Sequence, residues 1–319
     1  MPLAALRVDA PGLLTTVQDG GRPGYQSQGV PVSGAMDPFA LQVANLLVGN
    51  PRGEAALEIT LLGPSLHVLR DCVVAVCGAD LSPHLDGVPL PLWKSVGLRA
   101  GQALGFGAPR AGARAYLAVA GGFAVPLVLG SRSTFLRGRW GGSGGRALRA
   151  GDVLEIGEPA RALSALTGRA LSLSLVPAYP QEAVVRVLLG PQEDAFTPAG
   201  LATFLSAVYE VTHQSDRMGY RLAGPPIEHT PGRTEMLSEA VPLGAIQVPA
   251  GGQPLILMAD RQTVGGYPKI ATVISGDLPA VAQLAPGRRI AFRQTTLPEA
   301  QAFLLARERL LTLLEAALV

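Results

Sequence analysis

Apolar positions along this chain recur mostly with a period of two, in short runs cut by glycine and proline, the pattern of strands that bury one face. Residues 3 to 17 alternate around Pro11-Gly12, with Leu6, Val8, Leu13, Leu14 and Val17 apolar, and predict a hairpin. Further strands are predicted over 57–61, 66–69, 73–77, 254–259 and 270–275. Helical signals are fewer. Asp37-Pro38 supplies an N-cap and a proline for the first turn, and Phe39, Val43, Leu46 and Leu47 form a stripe ending near Gly49-Asn50. Thr197-Pro198 opens a second helix with the same chemistry. Residues 298–318 carry Phe303, Leu304, Leu310, Leu311 and Leu314 and predict a closing amphipathic helix.

Laid side by side, the two halves repeat. Each helix start leads to a similar turn, L-L-G-P at 61–64 and L-A-G-P at 222–225. V-A-V-C-G-A-D at 74–80 resembles L-I-L-M-A-D at 255–260, and each is followed by a turn-strand unit, at 98–107 and 284–293. A third copy of that unit occupies 148–157. The repeat predicts two similar β-rich lobes, 1–165 and 166–319, each with a helix packed on a barrel or curled sheet. The Ala-, Ser- and Leu-rich segment near 158–180 joins them.

Composition agrees with a mainly β (α+β) protein. Of 319 residues, 48% are hydrophobic, only 16% are charged, and 39 glycines and 27 prolines punctuate the chain. A net charge of +2 without a basic block, and 5% aromatic residues, exclude a nucleic-acid partner. No apolar run approaches the roughly 18–20 residues of a bilayer span, and residues 1–10 lack the features of a signal peptide, so the expectation is a cytoplasmic protein without membrane contact. Cys72 and Cys77 lie on one predicted strand with side chains on opposite faces, which suits reduced core thiols. The histidines at 67, 84, 213 and 229 have no metal-ligand spacing, so no metal is expected.

Three polar segments concentrate the candidate chemistry: 18–37, 214–226 and 247–277. None is a nucleotide signature, since neither G-x-x-x-x-G-K-[ST] nor a strand-to-helix G-x-G-x-x-G occurs. G-G-S-G-G at 141–145 reads as a flexible turn, and Ser33 or Ser215 near His213 reads as structural rather than as a nucleophile pair. The third segment stands out because a glycine-rich loop separates two predicted strands. That loop carries Asp260, Arg261, Gln262, Thr263, Gly265, Gly266, Tyr267 and Lys269. Only two of the 26 cationic residues are lysines, Lys94 and Lys269, so a lysine in this loop suggests chemistry that arginine does not supply. Asp19, Asp37, Glu58, Glu239, Asp260, Arg22, Arg217, Tyr25, Tyr267 and Lys269 could together hold a small amide-like or carboxylate substrate. Each also has a plain structural role open to it: a turn cap for Asp19, a helix cap for Asp37, an ion pair for Arg217.

T-V-Q-D-G-G-R-P-G-Y-Q-S-Q-G-V-P-V-S-G-A-M-D-P at 16–38, Q-S-D-R-M-G-Y-R-L-A-G-P at 214–225 and G-G-Q-P-L-I-L-M-A-D-R-Q-T-V-G-G-Y-P-K-I-A-T-V-I at 251–274 resemble the allophanate-hydrolase-subunit-2, or biotin-dependent carboxyltransferase-like, family. The resemblance spans nearly the whole chain and implies two cyclophilin-like β-barrel lobes related by duplication. It also implies a separate subunit-1-type partner, because 319 residues hold neither such a unit nor a biotin carrier or carboxylase. Within the family, likeness to C subunits of ATP-dependent 5-oxoprolinases ranks first. That role implies A and B subunits as partners, a lactam substrate opened to L-glutamate, and ATP used by the complex without a covalently bound cofactor. The alternatives are a carboxyltransferase component acting on a urea-like amide and a non-enzymatic antagonist of a kinase inhibitor. All candidate substrates present N–C=O. The expected site therefore has Lys269 or Arg217 at the oxygen and a carboxylate, Asp260, at the N–H. Asp19, Arg22, Tyr25, Ser33, Glu239, Gln247, Thr263, Gly265, Gly266 and Tyr267 are the expected substrate contacts.

Overall fold

The structure, a computed structural model, describes residues 2–318. Contacts divide the chain into two compact units, one of residues 2–22, 33–179 and 310–318 and one of residues 23–32 and 180–309.

In the first unit, Leu3–Ala10, Ser65–Val68, Ala103–Gly105, Val153–Ile156 and the short His84–Leu85 and Val88–Pro89 form a six-stranded sheet. Leu14–Gln18, Ala56–Thr60, Cys72–Asp80, Ser95–Leu98 and Ala111–Val119 form a five-stranded one. Residues from both, including Leu6, Val8, Val17, Ile59, Leu66, Val74, Val76 and Leu117, make one buried cluster. The opposite face of Cys72–Asp80, with Val73, Ala75 and Cys77, packs with helix α1 (Pro38–Leu47) through Phe39, Val43 and Leu47. This strand is buried on both faces, which is why it reads as a continuous apolar run. Cys72 and Cys77 accordingly sit in different clusters as free thiols, and burial pushes Cys72 up to about 12 and Cys77 well above its ordinary value.

The predicted hairpin over residues 3–17 does not form. Leu3–Ala10 pairs with Val153–Ile156 and Ser65–Val68, whereas Leu14–Gln18 pairs with Ala56–Thr60 in the other sheet. Pro11-Gly12 is a corner between sheets. Gly12 has φ +73° and lies so close to the 62–63 backbone that a Cβ would meet the Leu62 carbonyl oxygen at 2.3 Å, while Leu13 N donates to that same oxygen at 2.9 Å. Helix α2 (Leu163–Leu166) and the segment after it also pack here: Leu166 and Leu171 are buried in the α1 cluster, and Lys94 bridges Ala170. Contacts thus carry the first unit to residue 179, beyond the boundary expected at 165.

The start of α1 is fixed by a buried polar chain. Asp37 Oδ1 accepts from Ala40 N at 3.0 Å, and Asp37 N donates to Tyr116 Oη at 2.8 Å. Tyr116 donates in turn to Glu58 Oε2 at 2.7 Å, which also accepts from Met36 N at 2.9 Å. Burial, and next the Glu58 carboxylate, push the Tyr116 hydroxyl far above its ordinary value, so it remains a donor.

The second unit is a closed seven-stranded barrel. Its order is Glu182–Leu189, Lys269–Val273, Ala245–Gln247, Leu255–Leu257, Gly219–Ala223, Val208–Val211 and Arg289–Gln294, which returns to the first strand in parallel, Glu182 opposite Arg289. Helix α3 (Pro198–Ser206) begins as predicted, with Thr197 Oγ1 accepting from Gly200 N at 3.0 Å, and its Phe204 stacks on Phe292 with centroids 4.6 Å apart. Helix α4 (Leu278–Ala282) follows Asp277, which accepts from Arg186 through both carboxylate oxygens at 2.9 and 2.6 Å. The closing helix α5 (Leu297–Leu318) buries its predicted stripe only in part: Leu311 is fully buried, but Phe303 and Leu304 stay 39% and 40% exposed. No described helix is long and apolar enough to cross a membrane.

Tyr116→Phe removes the donor that Glu58 needs and the acceptor that Asp37 N uses, both buried. We expect it to destabilise the protein by about 1–3 kcal/mol in chemical denaturation, with α1 losing protection first in hydrogen exchange.

Candidate active site

In the second unit the Leu255–Leu257 strand runs into a loop secured by an ion pair. Arg217 Nε and Nη2 reach Asp260 Oδ2 and Oδ1 at 2.9 and 3.1 Å, with both side chains at most 5% exposed. The backbones are joined as well, Asp260 N to Arg217 O and Met258 N to Met218 O, each at 2.8 Å. The expected catalytic residues Arg217 and Asp260 are therefore joined in a buried bidentate ion pair, and the geometry gives them the role of a latch between two loops. The next residue, Arg261, is only 8% exposed. Its Nε donates to the Val241 carbonyl at 3.0 Å and its Nη1 to the Met258 carbonyl at 3.4 Å, and burial lowers its pKa.

Beyond Arg261 the glycines admit a second stretch of chain. Glu239 pairs with Gly265 and Ala240 with Val264, Met236 N donates to Gly266 O at 2.9 Å, and Val241 N to Thr263 O at 3.0 Å. A Cβ at Gly265 would stand 2.8 Å from Gln247 Nε2, and one at Gly266 would stand 3.0 Å from the Met236 carbonyl oxygen. The strap over residues 234–241 thereby brings Glu239 to Lys269. The Lys269 side chain is 4% exposed and its Nζ forms an ion pair with Glu239 Oε1, whose side chain is 43% exposed. Gln192 Nε2 donates to the same Oε1 at 2.7 Å, and the Lys269 backbone N donates to Gln192 Oε1 at 3.3 Å. Gln247 donates to the Tyr267 carbonyl at 3.2 Å and accepts from Gln262 Nε2 at 3.4 Å. The Lys269 ammonium beside it holds the Glu239 carboxyl below the usual carboxylate range.

The arrangement is a desolvated ammonium whose one ion-pair partner among the described residues is a half-exposed carboxylate, edged by three side-chain amides. An ammonium so placed can be handed to a developing oxyanion, and carboxylate and amide oxygens can accept from N–H. Lys269, Glu239, Gln247, Thr263, Gly265, Gly266 and Tyr267 are brought together as expected. Gln192, Gln262 and Arg261 join them without having been expected as substrate contacts. Gln192 lies far away in sequence, and its neighbour Gly190, where a Cβ would meet the Lys269 carbonyl oxygen at 2.0 Å, is the local sign of close approach.

Asp19, Arg22 and Ser33 belong to the first unit. Asp19 Oδ1 accepts from Ser131 Oγ at 2.7 Å and Gly21 N at 2.8 Å, and Oδ2 accepts from Arg132 N at 2.5 Å. Arg22, 1% exposed, donates to the Ser133 carbonyl and lies over the Trp140 ring at 4.4 Å. The glycines of 141–145 are packed rather than open: a Cβ at Gly141 or Gly142 would meet Ser133 O at 2.1 Å or Thr134 Oγ1 at 1.9 Å. These residues brace a loop from inside. Ser33, at φ +55°, has a buried hydroxyl without a hydrogen-bond partner among the described residues. Tyr25, half-buried, lies in the 23–32 segment grouped with the second unit and accepts from Gln28 N at 3.0 Å through its backbone. Ser215 Oγ contacts only the Arg221 backbone, so the serine-histidine pair is not assembled. No cluster among the described residues could hold a metal ion.

Residues 28–294 match the family model described as "Carboxyltransferase domain, subdomain A and B". The chain belongs to this family. It is 41% identical over 295 residues to the 5-oxoprolinase C subunit of Escherichia coli, covering 92% of this chain and 93% of that protein. It is 40% identical to the 5-oxoprolinase C subunit of Haemophilus influenzae, covering 89% of each. The crystal structure of the K. lactis urea amidolyase superposes with a TM-score of 0.92 at 32% identity over 98% of this chain but 20% of that one. Family membership agrees with the resemblance carried by the three motifs, and the names of the two C subunits make those proteins components of multi-subunit enzymes.

The Glu239–Lys269 pair and the Arg217–Asp260 latch each predict an outcome. Because the depressed Glu239 carboxyl stabilises the folded state when ionised, its contribution is present above the ordinary glutamate range and is lost as pH falls through the lowered value. Glu239→Gln should therefore abolish that pH dependence and make Lys269 label faster with an amine-directed reagent, read by peptide mass spectrometry against exposed Lys94 as the internal standard. Asp260→Asn leaves a buried guanidinium without its counter-charge and is expected to cost about 3–5 kcal/mol in thermal or denaturant unfolding.

Proposed function

We propose that this chain is the C-type component of an ATP-dependent 5-oxoprolinase, active in complex with separate A and B subunits and opening 5-oxo-L-proline to L-glutamate. The observation that carries this reading is correspondence over nearly the full length of both proteins with the C subunits, whereas the amidolyase match uses a fifth of the larger chain. The B partner is a subunit-1-type protein of the same broad system. The site in the second unit suits the substrate. A lactam oxygen replacing Glu239 at Lys269 Nζ would gain the ammonium as charge builds on it, and Glu239 or a glutamine oxygen would accept from the ring N–H. In the net reaction water adds to the lactam carbonyl carbon, the C–N bond breaks, and the nitrogen leaves as the amine of glutamate while ATP is hydrolysed.

A second reading, carboxyl transfer to a urea-like amide, is favoured by the TM-score of 0.92 to the amidolyase. It uses the same N–C=O recognition but requires a biotin carrier. Glutamate release from 5-oxo-L-proline and ATP, with each of the three subunits omitted in turn, separates the two. We expect activity only in the full mixture, and Lys269→Met to lower kcat by about 100- to 1,000-fold, the range for losing one oxyanion donor. A stable complex that releases no glutamate but carboxylates urea when given carboxybiotin would establish the second reading instead.

A further inference from the structure

Arg261 is a buried cation that no described carboxylate neutralises. Its neighbour Asp260 is the obvious partner and is unavailable, both oxygens being held by Arg217. The two hydrogen bonds of Arg261 go instead to the Val241 and Met258 carbonyls through Nε and Nη1. Among the described residues its Nη2 has no hydrogen-bond partner, and it retains access to solvent, since it is not among the buried unsatisfied atoms. Burying an arginine without a counter-ion is costly, and a fold built only for stability would place an apolar side chain there. The position is also informative. Val241, whose carbonyl takes Arg261 Nε, is two residues from Glu239, and Gln262, the next residue along, reaches Gln247. Arg261 is thus fixed to the same strap and loop that carry the Lys269–Glu239 pair.

We propose that Arg261 is the carboxylate-recognition residue of this site, presenting its Nη2 edge to the carboxylate of a small lactam acid. This rests on the 5-oxoprolinase reading and adds to it the group that separates 5-oxo-L-proline from urea, which has the N–C=O but no carboxylate. The supporting logic is charge balance. A carboxylate ligand supplies the counter-ion that the fold withholds, and the lowered pKa produced by desolvation is relieved when it binds.

The test is equilibrium binding of 5-oxo-L-proline and of 2-pyrrolidone, the lactam lacking the carboxylate, to the assembled complex without nucleotide, for wild type, Arg261→Lys and Arg261→Met. We expect Arg261→Met to weaken 5-oxo-L-proline by about 10- to 100-fold, the range for a charge-assisted hydrogen bond, with Arg261→Lys between it and wild type and 2-pyrrolidone unchanged throughout. Equal affinity of all three proteins for 5-oxo-L-proline overturns the proposal. So does a parallel loss for 2-pyrrolidone, which would mark Arg261 as structural. A wild-type complex that binds 5-oxo-L-proline in this Arg261-dependent way but never releases glutamate would defeat the hydrolase reading while leaving the carboxylate contact standing.

Discussion

One carboxylate can neutralise only one guanidinium at bidentate range, and in the second unit Asp260 is committed to Arg217. That pairing is the constraint on which the site depends. It joins the loop after Val208–Val211 to the loop after Leu255–Leu257, and backbone hydrogen bonds at 258 and 260 repeat the connection. With Asp260 so committed, Arg261 is left to backbone carbonyls and the following glycines are held where the strap can cross them. A latch of this kind contributes little to stability beyond what a hydrophobic pair of the same size would give, but it fixes which charges remain for a ligand.

The strap imposes a second condition. Lys269, nearly dry, is paired with Glu239, a carboxylate that itself stays half in water. The pair is asymmetric: the lysine belongs to the barrel wall at Lys269–Val273, the glutamate to a two-residue ladder with an exposed Leu237 two positions before it. Glu239 thus reaches Lys269 from a ladder of only two residues, Glu239–Ala240.

Local chemistry is what the sequence makes legible. Both capped helix starts, at Asp37-Pro38 and Thr197-Pro198, can be read because cap and proline are adjacent residues, and Lys269 because lysine is rare in this chain. The 3–17 segment misleads because alternation specifies faces, not partners: Pro11-Gly12 fits a hairpin turn and a sheet corner equally, and the choice is made by contact with residues 62–63. Glu239 can be named but not assigned to Lys269, since the strap register is set by glycines 265 and 266. Arg261 is hidden for a related reason. Its distinction is a missing partner, visible only once Arg217 is seen to have taken it.

Helix α5 gives its last turns to the first unit, where Leu311 is buried among α1 residues, and the barrel of the second unit is closed by Arg289–Gln294 lying parallel to Glu182–Leu189. Each closure uses chain synthesised after nearly everything it closes. The first unit, although its sheets lie early in the chain, completes its α1 cluster only with residues of α5. A fold with such long sequence separations assembles slowly and exposes apolar surface while it does so. Damage to α5 would be felt at α1, among the earliest-made helices of the fold.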